Sequence, residues 1–572
     1  MNPQAPLWQI WLNPIVRRYA TARLRMGLLL GWGLPVQAIG AFIWLVTYLF
    51  SHKAQNFPVP QAAVTAWCGI LLLQGILWIM KGTFSVAVGI AREGAEGLTD
   101  AQRLTPLKPA YKVMGYLFGL PILETVLVAS LLPWSIVSIV IGHVPLAIVF
   151  RVHLLLGTAA VLHHAIGLVT GTVIKQKIVA GTVSQLLVIV LHVFVPVFSR
   201  FGAGPLGHLG VESAISRELE PLILPQVNIG PAMVRFFHLE VTRTGYQWLI
   251  MSVLLGFLLS ILWRKWKQAD AHLFSKPVAL GFFAWILVMS LGEIFPRVDD
   301  GTLFQAGEKL PRAWARSGQI SDAVTEQGMT LIWAGAVGSV ALVAAMLVAS
   351  IITPTLDQHW CALRALRQRQ SARIPWVGDA HSAFVWVIGL GAFAAAGWYY
   401  LVREVMTEPM LALVLRPDPA MPWLFLTSIL LPLLAWALLM EWRGMRAAYA
   451  AAFVGWIIPL MVVIVAVLSG ASITGWPRWW LSFSGLLLPA LSLLQSSHWL
   501  ANLSTFFDNL RTPWLVSLWV HGFIVAGLFI ALRKAQRSEM LPAAQPQPPP
   551  LLESMPPPEM IPACEDAERA AN

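Results

Sequence analysis

The stretch AREGAEGLTDAQRLTPLKPAYK, Ala91 to Lys112, is the first long polar interruption in a chain that is otherwise largely apolar. Glu93, Glu96 and Asp100 stand at i, i+3 and i+7, so they share one face of any continuous helix. Thr99 with Gln102 three residues later has the spacing of a capping box. Pro106 disfavours helical backbone at Thr105, which predicts a helix end near Leu104, and Pro109 stiffens the backbone beyond it. The stretch is expected to form one or two short, rigid, exposed helices between two membrane spans. It also reads as an ordinary solvated loop, although a flexible loop would need neither two prolines nor a cap.

The surrounding composition sets the class. The chain has 572 residues, 57% of them hydrophobic and 12% charged, with a mean hydropathy of +0.68. Soluble domains carry about 25% charged residues, so this is the composition of an integral membrane protein. Many of the 27 tryptophans, among them Trp263, Trp266, Trp442, Trp476 and Trp479, fall at the ends of apolar runs, where aromatic belts form. Core packing explains any single one equally well. The net charge of +11 comes from basic residues that punctuate apolar runs and do not gather in one patch. That pattern speaks for membrane orientation and against nucleic acid. Cys68, Cys361 and Cys564 lie far apart and have neither metal-site nor disulfide-framework spacing. The apolar run from Met26 to Phe50 has the length of a span and exceeds a signal-peptide core of about 7 to 15 residues.

Taken in order, residues 8–25 read as a basic amphipathic segment on the membrane surface. Twelve spans come after it, near 26–50, 62–90, 113–141, 145–173, 178–198, 246–263, 277–296, 328–352, 381–402, 421–440, 447–469 and 513–532. Mixed loops run through 199–245 and 297–327. With both termini in the cytoplasm, the inside segments hold most of the 39 Lys and Arg, as the positive-inside rule requires. Residues 481–499 are apolar but broken by Pro489 and several serines. Counting them as a span would put Arg533 and Lys534 outside, so they are expected to be a re-entrant or interfacial outer element. The expected fold is therefore all-α, with about twelve transmembrane helices in two six-helix halves, 1–265 and 266–537. Residues 538–572, with PQPQPPP and MPPPE runs, read as a disordered Pro-rich cytoplasmic tail.

The pattern R-E-x-x-E-G-L-x-D-x-x-R-L-T-P-L-x-P at 92–109, with Gly115 beyond it, resembles the cytoplasmic coupling segment of ABC-2 type permeases. That family's wording is close to E-R-E-x-G-T-L-[DE]-x-L-x-L-T-P-L-S-P, followed by Gly in the next span. Glu96, Gly97, Leu98, Asp100, Leu104, Thr105, Pro106, Leu107, Pro109 and Gly115 match, while Ala95, Arg103 and Lys108 depart from it. Asn13-Pro14-Ile15-Val16-Arg17-Arg18 also looks like these permeases. The resemblance implies the membrane subunit of an ATP-driven exporter; for a bacterial host, spans this apolar are expected in the cytoplasmic (inner) membrane and not in an outer-membrane barrel. Its partner would be a separate ATP-binding-cassette ATPase, seated on Glu93, Glu96, Gly97, Asp100, Arg103, Thr105 and Pro106. Each half would correspond to one permease unit, with dimerisation of the whole chain as a weaker alternative. The second-half counterpart, 353–380, is basic (Arg364, Arg367, Arg369, Arg373) and does not repeat the wording.

No Walker A pattern is present, so nucleotide binding of that type would have to come from another chain. Ionisable residues in spans are costly and suggest function. Glu124, Arg151 and His153 are candidates for a translocation path, with a Glu124–Arg151 pair feasible, and a satisfied structural pair is the plainer explanation. His163, His164 and His192 raise haem ligation and proton relay as further readings, of which proton relay is the better. No cofactor is expected. The alternatives are a proton-coupled secondary transporter using Glu124 and the histidines, and a membrane-embedded transferase, for which Asp299-Asp300 is the one weak acidic pair. HExxH and Gly-x-Ser-x-Gly patterns are absent from the sequence.

Overall fold

A computed structural model describes residues 9–194, 207–224, 233–299, 322–368, 374–407, 416–417, 419–469, 476, 479–480, 484–495, 497–498 and 501–538. Among the described residues the chain is almost wholly helical. Eleven helices are long and apolar enough to cross a membrane: Met26–Ala54, Val59–Ala95, Ile122–Ile141, Leu146–Val173, Arg243–Lys267, Lys276–Pro296, Ala334–Arg364, Phe384–Met406, Met421–Arg443, Met445–Ala466 and Arg511–Arg537. The chain is an all-α, multi-pass membrane protein. The expected span at 178–198 appears as a shorter apolar helix, Lys177–Val193, and residues 195–206 lie outside the described set.

Three further features concern the connections, of which only the first departs from expectation. The loop at 199–245 contains a helix, Glu212–Ile223, and a hairpin whose strands Met233–Phe236 and Leu239–Thr242 pair antiparallel. The surface segment at 8–25 is a helix, Pro14–Arg23, capped by the Asn13 side chain on the Ile15 amide, and it buries Ile15 and Val16. Within 481–499 the described helix is Leu488–Gln495. Eight residues rise about 12 Å, too little for a hydrocarbon core of about 30 Å. Leu488 and Leu491 pack on Trp514, whose indole donates to Ser492 at 3.0 Å. The remainder of that element and residues 539–572 of the tail fall outside the described residues.

The helix Arg243–Lys267 joins the cores. Its Tyr246, Ile250 and Met251 belong to one buried cluster, Leu262 and Trp266 to a second, and Ile261 to a third that extends to Leu493. The helices Val59–Ala95 and Leu146–Val173 approach closely because Gly167 and Gly171 form a small-xxx-small pair. A Cβ on Gly167 would lie 2.6 Å from the Thr83 carbonyl oxygen, and one on Gly171 would run into the Ala87 carbonyl. Two carbonyls in the π turn Ile76–Lys81 accept side-chain hydrogen bonds from neighbouring helices. His164 Nε2 donates to the Trp78 carbonyl at 2.9 Å and Gln185 Nε2 to that of Met80 at 2.5 Å.

Candidate functional site

The 91–112 stretch folds as two helices with a tight turn between them. The helix Gly82–Ala95 ends at Glu96, and Gly97 then takes a left-handed conformation, φ +73°. A side chain there would be strained, which explains glycine at this position. A six-residue tip helix comes next, Leu98–Arg103. It stops one residue before Leu104, as Pro106 predicts, and Pro109 opens the next helix, Pro109–Gly119. Two expectations are corrected. The turn at Gly97 breaks the helix, so Glu93 does not share a face with Glu96 and Asp100. The cap of the tip helix is Gly97, without a side-chain cap hydrogen bond, so Thr99 and Gln102 form no capping box.

Burial separates the residues further. Glu93 is 8% exposed, and its carboxylate is held by Arg18, Tyr19 and Tyr116. Burial first, then the hydrogen bond to Glu93 and its charge, raise the Tyr19 phenol above its ordinary pKa, so it remains a donor. Tyr116 Oη also lies 2.6 Å from Gln102 Oε1 of the tip. Lys112, 3% exposed, points its ammonium back at the tip. It donates to the carbonyls of Gln102, Thr105 and Arg103 at 2.6, 3.1 and 3.3 Å. Gln102 and Arg103 are the last two residues of the tip helix, where its own hydrogen-bond ladder ends, and Thr105 lies just past it. Thr105 Oγ1 adds a bond to the Gln102 carbonyl at 2.7 Å. Outward, Asp100 pairs with Arg103 and Glu96 with Arg92. Leu104 is 89% exposed, and Leu98 is exposed beside it.

The two stretches that carry the family resemblance meet here. Asn13 Nδ2 donates to the Tyr111 carbonyl at 2.7 Å. A Cβ on Gly115 would lie 2.8 Å from Ile15 Cβ and 2.9 Å from Asn13 Oδ1. Glycine at 115 lets the N-terminal helix lie directly on the helix after the tip.

The polar layer continues across the same end of the molecule. Tyr116 stacks on Trp266 at 5.2 Å, and the Arg103 guanidinium sits 5.7 Å from the Trp266 ring. Two residues earlier, Arg264 pairs with Asp379 and donates to the His272 carbonyl at 2.9 Å. Lys276 donates to the carbonyls of Gly378 and His381 at 2.8 and 2.5 Å. Ser382 and Gln536 both bond Glu441, at 2.9 and 3.3 Å. The expected counterpart at 353–380 contains the helix Leu356–Gln368. Its reciprocal cap joins Thr355 N to Gln358 Oε1 at 3.0 Å and Gln358 N to Thr355 Oγ1 at 3.4 Å. Residues 369–373, including Arg369 and Arg373, lie outside the described set.

The ionisable residues expected within spans find other partners. Glu124, in the first turn of Ile122–Ser130, accepts from Ser85 Oγ at 2.6 Å and lies 3.9 Å from Arg23. Arg151 bonds Glu218 of the Glu212–Ile223 helix at 2.9 and 3.1 Å. The Glu124–Arg151 pair therefore does not form. The two residues sit near opposite ends of consecutive antiparallel helices, about 20 Å apart along the axis. His153 Nδ1 bonds the Val149 carbonyl at 2.9 Å, and its ring stacks on Trp67. His163 and His192 bring their rings to 4.9 Å. Both Nδ1 atoms face carbonyls, of Ala159 and Val188, and among the described residues both buried Nε2 atoms are without a hydrogen-bond partner. Asp299 closes its helix and Asp300 lies outside the described residues. Among the described residues no group of three or more His, Cys, Asp or Glu could hold a metal ion.

Sequence reasoning missed Tyr19, Tyr116, Lys112 and Trp266. Lys112 ends the quoted stretch, yet nothing in its local pattern says that it turns back. No family model matches the chain, and neither a curated protein nor a solved structure matches it.

Proposed function

We propose that the chain is the membrane subunit of an ATP-driven exporter of the ABC-2 permease type, with hydrolysis in a separate ATPase. In this reading the Lys177–Val193 helix completes a twelve-span chain of two six-helix halves. The polar layer faces the cytoplasm of a bacterial inner membrane, and both termini lie on that side. The observation that carries the proposal is the clamping of the tip. Lys112 fixes its C-terminal carbonyls, Tyr116 contacts Gln102, and the same Tyr116 grips Glu93 at the end of the preceding span. A partner pushing on Leu104, Leu98 and Asp100 would move the flanking helices with the tip. Glu96 and Asp100 are outward and suit a partner contact; Glu93 acts as the internal latch.

The test is co-purification of the full chain from its host in mild detergent. An ATP-binding-cassette ATPase is expected with the wild type. Its recovery should fall at least about tenfold in L104D/D100K, the scale of losing one interfacial anchor. Failure to recover an ATPase even after crosslinking would sink the proposal.

One observation favours a proton-coupled secondary transporter, namely the adjacent rings of His163 and His192, whose buried Nε2 atoms have no hydrogen-bond partner among the described residues. That reading expects H163N to abolish proton-driven flux while L104D/D100K leaves it unchanged.

A further inference from the structure

We infer that the cleft between Arg92–Glu96 and the Lys175–Val179 turn binds the phosphodiester headgroup of an anionic phospholipid. The inference rests on the membrane-spanning helices alone and is independent of the exporter proposal.

The cleft has a volume of about 650 Å³ and is lined by Arg92, Glu96, Lys175, Lys177 and Ile178 among others. Three cations face one carboxylate, and that carboxylate is already taken by Arg92 at 2.8 Å. Lys175 and Lys177 have no hydrogen-bond or ion-pair partner among the described residues, which leaves two uncompensated positive charges. A phosphodiester is the complementary anion, small enough for the cleft and able to accept from both ammonium groups. The uncapped first turn of the helix Lys177–Ile189 adds backbone N–H groups beside the lysines.

Position argues for a lipid as the source of that phosphate. The apolar helices Val59–Ala95 and Leu146–Val173 both end at the cleft. Ile178 is 72% exposed, and Val173 and Val179 are exposed beside it. Cations above a rim of exposed branched apolar side chains match a headgroup above acyl chains. Basic pockets between membrane helices bind anionic headgroups in this way.

The test uses the delipidated full-length protein in neutral detergent. Palmitoyl-oleoyl phosphatidylglycerol or phosphatidylcholine is added, and retained lipid is read by native mass spectrometry of the folded species. The wild type should retain phosphatidylglycerol in preference. That preference should fall about fivefold per lysine removed in K175Q and K177Q, and persist in K175R/K177R. E96Q, which frees Arg92, should increase it. Equal retention in the wild type and the double glutamine variant overturns the assignment. Displacement by millimolar glycerophosphoglycerol overturns the lipid source in favour of a soluble phosphate. Loss of a co-purifying protein in K175Q/K177Q, with lipid preference unchanged, makes the cleft a protein contact and overturns the inference. None of these outcomes bears on L104D/D100K, so the two proposals fail separately.

Discussion

At the scale of single residues, the site depends on buried polar groups that satisfy backbone or carboxylate atoms. Lys112 is the clearest case. Its ammonium is buried with three carbonyl acceptors, and removing it takes that donor from the Arg103 and Thr105 carbonyls, at a cost of about 1–3 kcal/mol. K112M is expected to expose the tip to trypsin after Arg103 and Lys108 several-fold faster than wild type. The unfolding temperature of the spanning bundle should change by only a few degrees. Limited proteolysis alongside thermal unfolding in detergent checks this. An unchanged cleavage rate would mean that the tip is held by Tyr116 and Thr105 alone. Pro106 and Pro109 were legible in the sequence because their effects are local, whereas the turn at Gly97 was not read from it. Glu93 was misread because its partners Arg18 and Tyr19 lie more than seventy residues away.

At the scale of elements, helix packing in this chain depends on where glycines meet backbone. Gly167 and Gly171 face the carbonyls of Thr83 and Ala87, so a bulky side chain there forces two spans apart. G171L is expected to lower the yield of monodisperse protein at least about fivefold, the usual consequence of a clash of several kcal/mol. G27A, whose Cβ meets nothing within 4 Å, should leave yield and unfolding temperature within error. Size-exclusion chromatography of both variants decides the matter. The spans themselves were legible from length and apolarity. The hairpin at 233–242 was not, because its turn is made by Phe237, at φ +50°, and His238. Neither is a usual turn former. Its strain is offset from outside the hairpin: the Phe237 amide donates to the Gly292 carbonyl at 2.7 Å, and its ring packs on Phe295 at 5.5 Å.

At the scale of the molecule, that hairpin contact ties the connection after the fifth apolar stretch to the helix Lys276–Asp299. Across the 297–327 loop, Arg264 pairs with Asp379 while Lys276 donates to the Gly378 and His381 carbonyls. Inserting a protease site at residue 308 and cleaving the folded protein is therefore expected to leave both fragments co-eluting in mild detergent. They should separate only when the detergent is denaturing. Separation in mild detergent would show that the contacts of Arg264 with Asp379 and of Lys276 with the Gly378 and His381 carbonyls are too weak to hold the parts together. The layer itself links the N-terminal helix to the end of the last helix through Glu93, Tyr116, Trp266, Arg264, Asp379, Lys276, His381, Ser382, Glu441 and Gln536. It gathers at one end the segments that the distribution of Lys and Arg assigned to one side.

The sequence by itself determined the class of the protein, the position of its long apolar helices and the stop near Leu104 in 91–112. These come from hydrocarbon thickness and from the local backbone preferences of Pro, which act within a few residues. Tertiary structure alone decided which charges are buried and with whom. It turned Glu93 from a surface contact into a latch, gave Arg151 to Glu218 instead of Glu124, and bent Lys112 back onto the tip. The physical reason is that a buried charge takes whichever complementary group the packing of distant helices delivers, and no local pattern encodes that choice.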